Sequence, residues 1–317
     1  MLGDLCEGAE QGHCDAGTVR YAQAAAGVEI PLALRALAVP VPLLAANTVM
    51  LRESHRFSGS IGALALAVHA GDGARAAALL RHDDSGALHS LEGVEPQAAV
   101  DLALAEGPAP SYRDYLLRLG SRPVADDAPG HAAWATSVLT AFERFRLLCA
   151  VREGEWGMAG LNRLVEKALA QTGLLAPRGE WYTGRPIMVT RNDPSLGVFN
   201  GDIGIALPSP SPGGGLRAYF VDGTLVRSVG VSRLAHVETA FAMTVHKSQG
   251  SEFEHTVLVL PSYGGSVLSR ELVYTGITRA RQAFTLFAER PGLLATAIQQ
   301  PTKRASGLLG FLNVGAS

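Results

Sequence analysis

Residues 240–261 read AFAMTVHKSQGSEFEHTVLVLP, and the order of apolar and polar positions here restricts the fold more than any other stretch. Two β-rich apolar runs flank HKSQGSE, which offers an imidazole, an ammonium, a hydroxyl, an amide and a carboxylate within seven positions. A run such as TVLVL (256–260) reads as a strand of a strongly apolar neighbourhood. The polar turn therefore lies at the end of a buried strand, 240–245. After TVLVL the pattern predicts a helix over about 268–280, a strand at 284–288 and a helix over about 291–300. That alternation is the signature of an α/β domain.

Upstream, LLAANTVML (43–51) runs apolar into the polar knot RESHRF, as a strand ending in a functional loop does. Ser58 or Ser60 is placed to cap a helix over about 61–81. Further helical patterns fall near 96–106, 110–119, 132–150 and 157–172, with SRPVADDAPGH (121–131) as the break among them. From Trp181 to about Arg233 the texture is different: short strands separated by turn signals, including Asn200-Gly201 and Asp222-Gly223. This reads as a small barrel or meander inserted into the α/β domain. No internal repeat is present.

Composition narrows the function classes. With 47% hydrophobic and 18% charged residues, the 317-residue chain is globular rather than disordered. A net charge of −2 excludes a uniformly basic surface, so any nucleic-acid site is local. Cys6, Cys14 and Cys149 form no disulfide framework and fit reduced cytosolic thiols. Cys6, His13 and Cys14 lack a fourth ligand at zinc-site spacing. The N-terminus has no basic region and apolar core of a secretory signal, and no apolar run reaches membrane-spanning length, which points to a cytoplasmic chain.

Four segments carry candidate chemistry. In TVHKSQGSE, Thr244, His246, Lys247 and Ser248 are donors suited to phosphate, Gly250 permits a tight turn, and Glu252 is an acceptor. A helix start with Ser248 as N-cap accounts for the same residues without a ligand. In YTGITRAR (274–281), Arg279 and Arg281 carry guanidinium groups suited to the spread charge of a transferring phosphoryl group. Two arginines on a solvated helix face are the plainer account. LRESHRF sets Arg52 and Arg56 beside His55, or is simply a basic turn. VTRNDPSLGVFNGDIG presents Arg191, Asn192 and Phe199 to a nucleic-acid strand, or is a hairpin whose turn chemistry explains its polar residues.

In this order the segments resemble the C-terminal half of the RecD family, the alpha subunit of exodeoxyribonuclease V and a superfamily 1 DNA helicase. The resemblance is most specific in GRPIMVTRNDPSLGVFNGDIGIAL (184–207), AMTVHKSQGSEFEHTVLVLP (242–261) and ELVYTGITRARQ (271–282). It implies an α/β fold: a RecA-like second motor domain of the P-loop helicases with an inserted SH3-like β-barrel. The implied division is a remnant of the first motor domain over 1–50, the second motor domain over 51–175 and 236–317, and the insertion over 176–235. By the same resemblance, Thr244, His246, Lys247 and Ser248 lie near the single-stranded DNA backbone, with Arg191 and Asn192 also on the strand. Gln249, Gly250 and Glu252 lie near the nucleotide. Arg279 reaches its γ-phosphate, and Arg56 is the matching arginine of the fourth motif. ATP and Mg²⁺ are the implied cofactors of the complete motor. Single-stranded DNA and RecB/RecC-like subunits are the implied partners, with no membrane.

One departure stands out. The chain has 24 Arg but only three Lys, and none of Lys167, Lys247 or Lys303 stands in GxxxxGK[ST]. No apolar strand ends in an acidic pair that would hold Mg²⁺. LGDLC (2–6) resembles a segment just after the third motif, so the chain is expected to begin beyond the P-loop and to bind no ATP or Mg²⁺ alone. A first motor domain bearing the P-loop would complete it. Two other readings stay open: a non-enzymatic module that binds single-stranded DNA or a partner, and the helicase half of a conjugative relaxase.

Overall fold

The apolar runs of the sequence become the inner strands of a parallel sheet. The computed structural model describes residues 14–36, 59–123, 127–211, 213–223 and 225–302. The chain divides into two units, Met1–His55 with Lys303–Ser317, and Arg56–Thr302. In the first, helix α1 (Ala16–Ala26) starts at Asp15, whose carboxylate accepts the Thr18 N–H at 2.7 Å. Cys14 and Arg35 form a β-bridge, and Cys14 is a buried free thiol. Cys6 and His13 fall outside the described residues.

The second unit runs α2 (Gly59–His69), α3 (Gly73–Arg81), β1 (Leu88–Glu92), α4 (Pro96–Ala103), α5 (Arg113–Leu119), α6 (Ala128–Glu143), β2 (Phe145–Cys149) and α7 (Met158–Gln171). Strands β3 (Pro186–Val189), β4 (Ile203–Pro208), β5 (Leu216–Asp222), β6 (Leu225–Gly230) and β7 (Val237–Thr239) follow. The chain then returns through β8 (Ala242–Thr244), β9 (Phe253–Leu260), α8 (Arg270–Ile277), β10 (Ala280–Ala288) and α9 (Leu293–Ile298). One sheet is parallel, in the order β1-β10-β9-β2-β8, and the other is antiparallel, in the order β6-β5-β4-β3-β7.

Successive side chains on a strand face opposite ways, and helices cover both faces of the parallel sheet. Leu147, Val257 and Val259 pack with α4, α6 and α7, whereas Leu148, Leu258 and Leu260 pack with α2, α3, α8 and α9. The antiparallel sheet has its own small core of Ile187, Val189, Ala218, Phe220 and Val229. Its opposite face sends Ile205, Leu207 and Tyr219 into the first core.

Three sequence readings change. The helical pattern near 132–150 is a helix followed by a central strand, because all five residues of FRLLC are buried and a run apolar on every side has no helix-specific period. The helix expected over about 61–81 is two helices, broken at Gly71-Asp72, where the Asp72 carboxylate caps the second through the Arg75 N–H. Strand β1, at the sheet edge, had no apolar run to announce it.

Asp83 organises the turn between α3 and β1. Its carboxylate accepts the backbone N–H groups of Ala87 at 2.8 Å and Leu88 at 2.9 Å, together with the Ser85 hydroxyl. Desolvation opposes ionisation, but these bonds and one from Ser60 outweigh it and hold the carboxyl well below the usual carboxylate range. A depressed folded-state pKa gives stability that is complete above the unfolded pKa of about 3.9 and is lost as pH falls below it. Asp83→Asn should therefore lower stability by about 1–2 kcal/mol at pH 7. Urea titrations at several pH values should show the gap to wild type closing below about pH 4.

Candidate nucleic-acid and nucleotide interface

The polar turn is carried by β8, a three-residue strand at the sheet edge that, among the described residues, pairs only with β2. Edge backbone is prone to slip, and here buried side chains hold it. Arg146 Nη1 donates to the Ala240 carbonyl at 3.2 Å, and the Tyr112 hydroxyl donates to the Phe241 carbonyl. Asn162 takes both backbone groups of Ala242, donating to its carbonyl at 3.0 Å and accepting its N–H at 3.0 Å. Three successive residues are thus pinned before the turn begins.

Val245–Ser248 forms a single 3₁₀ turn, and the chain enters β9 at Phe253. No α-helix opens here, so the N-cap role expected of Ser248 is replaced. Ser248 is fully buried and donates its hydroxyl to the Val245 carbonyl at 2.7 Å, which closes the turn from inside and turns the group away from solvent. His246, Gln249 and Gly250 are exposed, and Thr244 is half-buried. Gly250 has φ 92°, a conformation that a side chain would strain.

Of the candidates expected near the nucleotide, Glu252 and Arg279 lie at one junction, between the polar turn and the segment after α8. Glu252 pairs with Arg281 at 2.9 Å. Arg279 donates Nη1 to the Ser251 carbonyl at 3.0 Å and Nε to the Thr275 carbonyl at 3.1 Å. The end of α8 and the end of the polar turn are therefore tied through one guanidinium. Phe253 N–H also donates to the Arg279 carbonyl at 2.8 Å, locking the same two segments by backbone.

On the strand side, Lys247 Nζ donates to Asn200 Oδ1 at 2.7 Å, joining the turn to the antiparallel sheet. The Asn200 N–H in turn donates to Asn192 Oδ1 at 2.8 Å. Arg191 and Asn192 are exposed, and Phe199 is 51% exposed beside them. Arg56 lies outside the described residues.

Beneath the turn is a polar recess of about 230 Å³ lined by Arg146, Gly201, Lys247 and Glu252 among others. The Arg146 guanidinium lies 4.3 Å from the Phe142 ring and 5.0 Å from the Phe253 ring. Burial pulls its pKa down, against the opposing influence of Tyr112 and Glu143. Sequence reasoning missed Arg146, Asn162 and Asn200. An arginine inside the run FRLLCA was a signal for the first; Asn200 was legible only as half of a turn dipeptide.

Residues 239–287 match the UvrD-like helicase C-terminal domain, and the two-faced parallel sheet whose edge strand feeds a polar turn is a helicase-like α/β fold. Within that class the chain is a homologue of RecD subunits. It is 39% identical over 265 residues to the RecBCD enzyme subunit RecD of Mycobacterium tuberculosis, covering 83% of this chain and 42% of that protein. It is 43% identical over 178 residues to the RecBCD enzyme subunit RecD of Haemophilus influenzae, covering 56% of this chain and 26% of that one. The chain thus spans less than half the length of these relatives. The Pif1 helicase from Bacteroides, solved in complex with ADP-AlF3 and ssDNA, aligns at a TM-score of 0.38 and 14% identity, covering 84% of this chain and 56% of that one.

Proposed function

We propose that the chain is the strand-gripping, nucleotide-facing second half of a RecD-like ATP-dependent 5′-to-3′ DNA helicase, acting in recombinational double-strand break repair. The carrying observation is the tie between the turn and α8: Arg279 reaches Ser251, and Glu252 holds Arg281. Two arginines at the end of one loop–helix junction suit phosphate oxygens that arrive from a facing domain. ATP with Mg²⁺ supplies the driving hydrolysis when bound in the complete motor. The donor set here fits phosphate, while the P-loop lysine and the Mg²⁺ carboxylates come from elsewhere in the polypeptide or from a partner. RecB/RecC-like subunits are the proposed assembly. In this reading the antiparallel sheet is an SH3-like insertion over 176–235, and the motor domain comprises 51–175 and 236–317, preceded by a remnant of the first motor domain over 1–50.

Strand binding falls to Thr244, His246 and Lys247 on the turn and to Arg191 and Asn192 on the insertion. Ser248 supports the turn from within. Fluorescence anisotropy with labelled oligo-dT tests the assignment: binding in the micromolar range or tighter supports it, and none at low salt removes it. Phe199, exposed beside Asn200, offers a face for base stacking. Phe199→Ala should weaken oligo-dT binding by about 1–3 kcal/mol in the same titration, without altering the melting temperature.

A further inference from the structure

Lys247 has only hydrogens to offer, so the Asn200 group facing it must be the amide oxygen. The same logic fixes Asn192, whose partner is the Asn200 backbone N–H. With both amide oxygens committed inward, each side chain keeps its NH₂ group as a donor, and no protein acceptor takes either one among the described residues. Asn200 is exposed, and Gly201, at φ 99°, lets the chain turn back so that its N–H reaches the Val189 carbonyl at 2.8 Å. That bond fixes the tip of the turn against β3. The result is a cluster of one ammonium and two amides, rich in donors, built half from the insertion and half from the polar turn.

We infer that Asn200, with Asn192 and Lys247, holds one backbone phosphate of a nucleic-acid strand, and that Asn200 positions the Lys247 ammonium for it. The inference rests on the reading of this face as strand-binding and adds a residue to it. A phosphate diester matches the cluster because it presents two acceptor oxygens and one negative charge to donors alone. The bond between Asn200 and Lys247 also joins the insertion to the turn that carries Glu252, so a strand seated there engages both parts at once.

The test is anisotropy of labelled oligo-dT with the full chain over a potassium chloride series, with thermal melts as folding controls. Lys247→Ala should weaken binding and reduce the slope of log affinity against log salt by about 0.7, one phosphate contact on a single strand. Asn200→Asp pairs the ammonium with a carboxylate, and should reproduce that slope change with an unchanged melt. Asn200→Ala should weaken binding severalfold while leaving the slope near wild type, and should have a smaller effect in a Lys247→Ala background, where only its own contact is left to lose. If Lys247→Ala acts as stated but both Asn200 variants bind like wild type, the inference fails and the strand-binding reading survives. A wild-type chain that binds no oligo-dT overturns both. Replacing chloride with inorganic phosphate at equal ionic strength separates the two sources of phosphate. Unchanged or slightly weakened binding supports a strand site, whereas inorganic phosphate that raises the melting temperature of the wild type but not of Asn200→Asp, with oligo-dT binding the same in both proteins, marks a free-phosphate site and overturns the assignment.

Discussion

Arg279→Ala, in a complete motor that joins this chain to a P-loop-bearing segment, should lower strand-stimulated ATP hydrolysis by roughly a thousandfold or more. An arginine delivered to a transferring phosphoryl group neutralises charge that exists only as the reaction proceeds, so its loss falls on turnover more than on nucleotide binding. Lysine should not restore the rate. Arg279 reaches the Ser251 and Thr275 carbonyls and, at 3.4 Å, the Thr278 hydroxyl, a fork that a single ammonium cannot reproduce. Single-turnover hydrolysis beside oligo-dT anisotropy checks the point: turnover should collapse while strand affinity stays within about twofold, because Arg279 is on the nucleotide side in this account. Equal loss of both would mean that the substitution has loosened the turn itself.

The second large effect is expected in stability. Asn162 is 6% exposed, and its amide serves Ala242 N–H, Ala242 carbonyl and, at 2.9 Å, the Met158 carbonyl. Asn162→Ala leaves a buried N–H and carbonyl on the edge strand without partners, and should cost about 2–4 kcal/mol in urea unfolding. Asn162→Leu should not rescue it, since volume is restored but the unpaired backbone groups remain. A cost under about 0.5 kcal/mol would show that the Asn162 pin is incidental to β8.

Much of the fold was legible because the apolar runs were unambiguous where strands were bounded by polar turns, as at TVLVL and in the antiparallel sheet. FRLLC was not, since it continues directly from helix α6 and is buried on every side, leaving no period to read. Strand β7 also escaped: its three half-buried residues, VET, owe their conformation to pairing with β3. In the candidate site, charged groups in an apolar setting singled out Lys247, Glu252 and Arg279 as candidates. Partnerships across long sequence separations were not legible. Lys247 and Asn200 are 47 positions apart, and only the folded sheet brings them together. Ser248 shows the opposite error, a donor that looked suited to phosphate but whose hydroxyl is spent on its own turn.

The most direct measurement is the ATPase rate of the purified chain, with and without saturating oligo-dT, beside Arg279→Ala. The account predicts strand binding with no stimulated hydrolysis in either protein, and turnover that appears only when a P-loop-bearing segment is supplied. Strand-stimulated hydrolysis by the chain alone, lost in Arg279→Ala, would contradict it and show that these 317 residues hold ATP by a route other than a P-loop lysine.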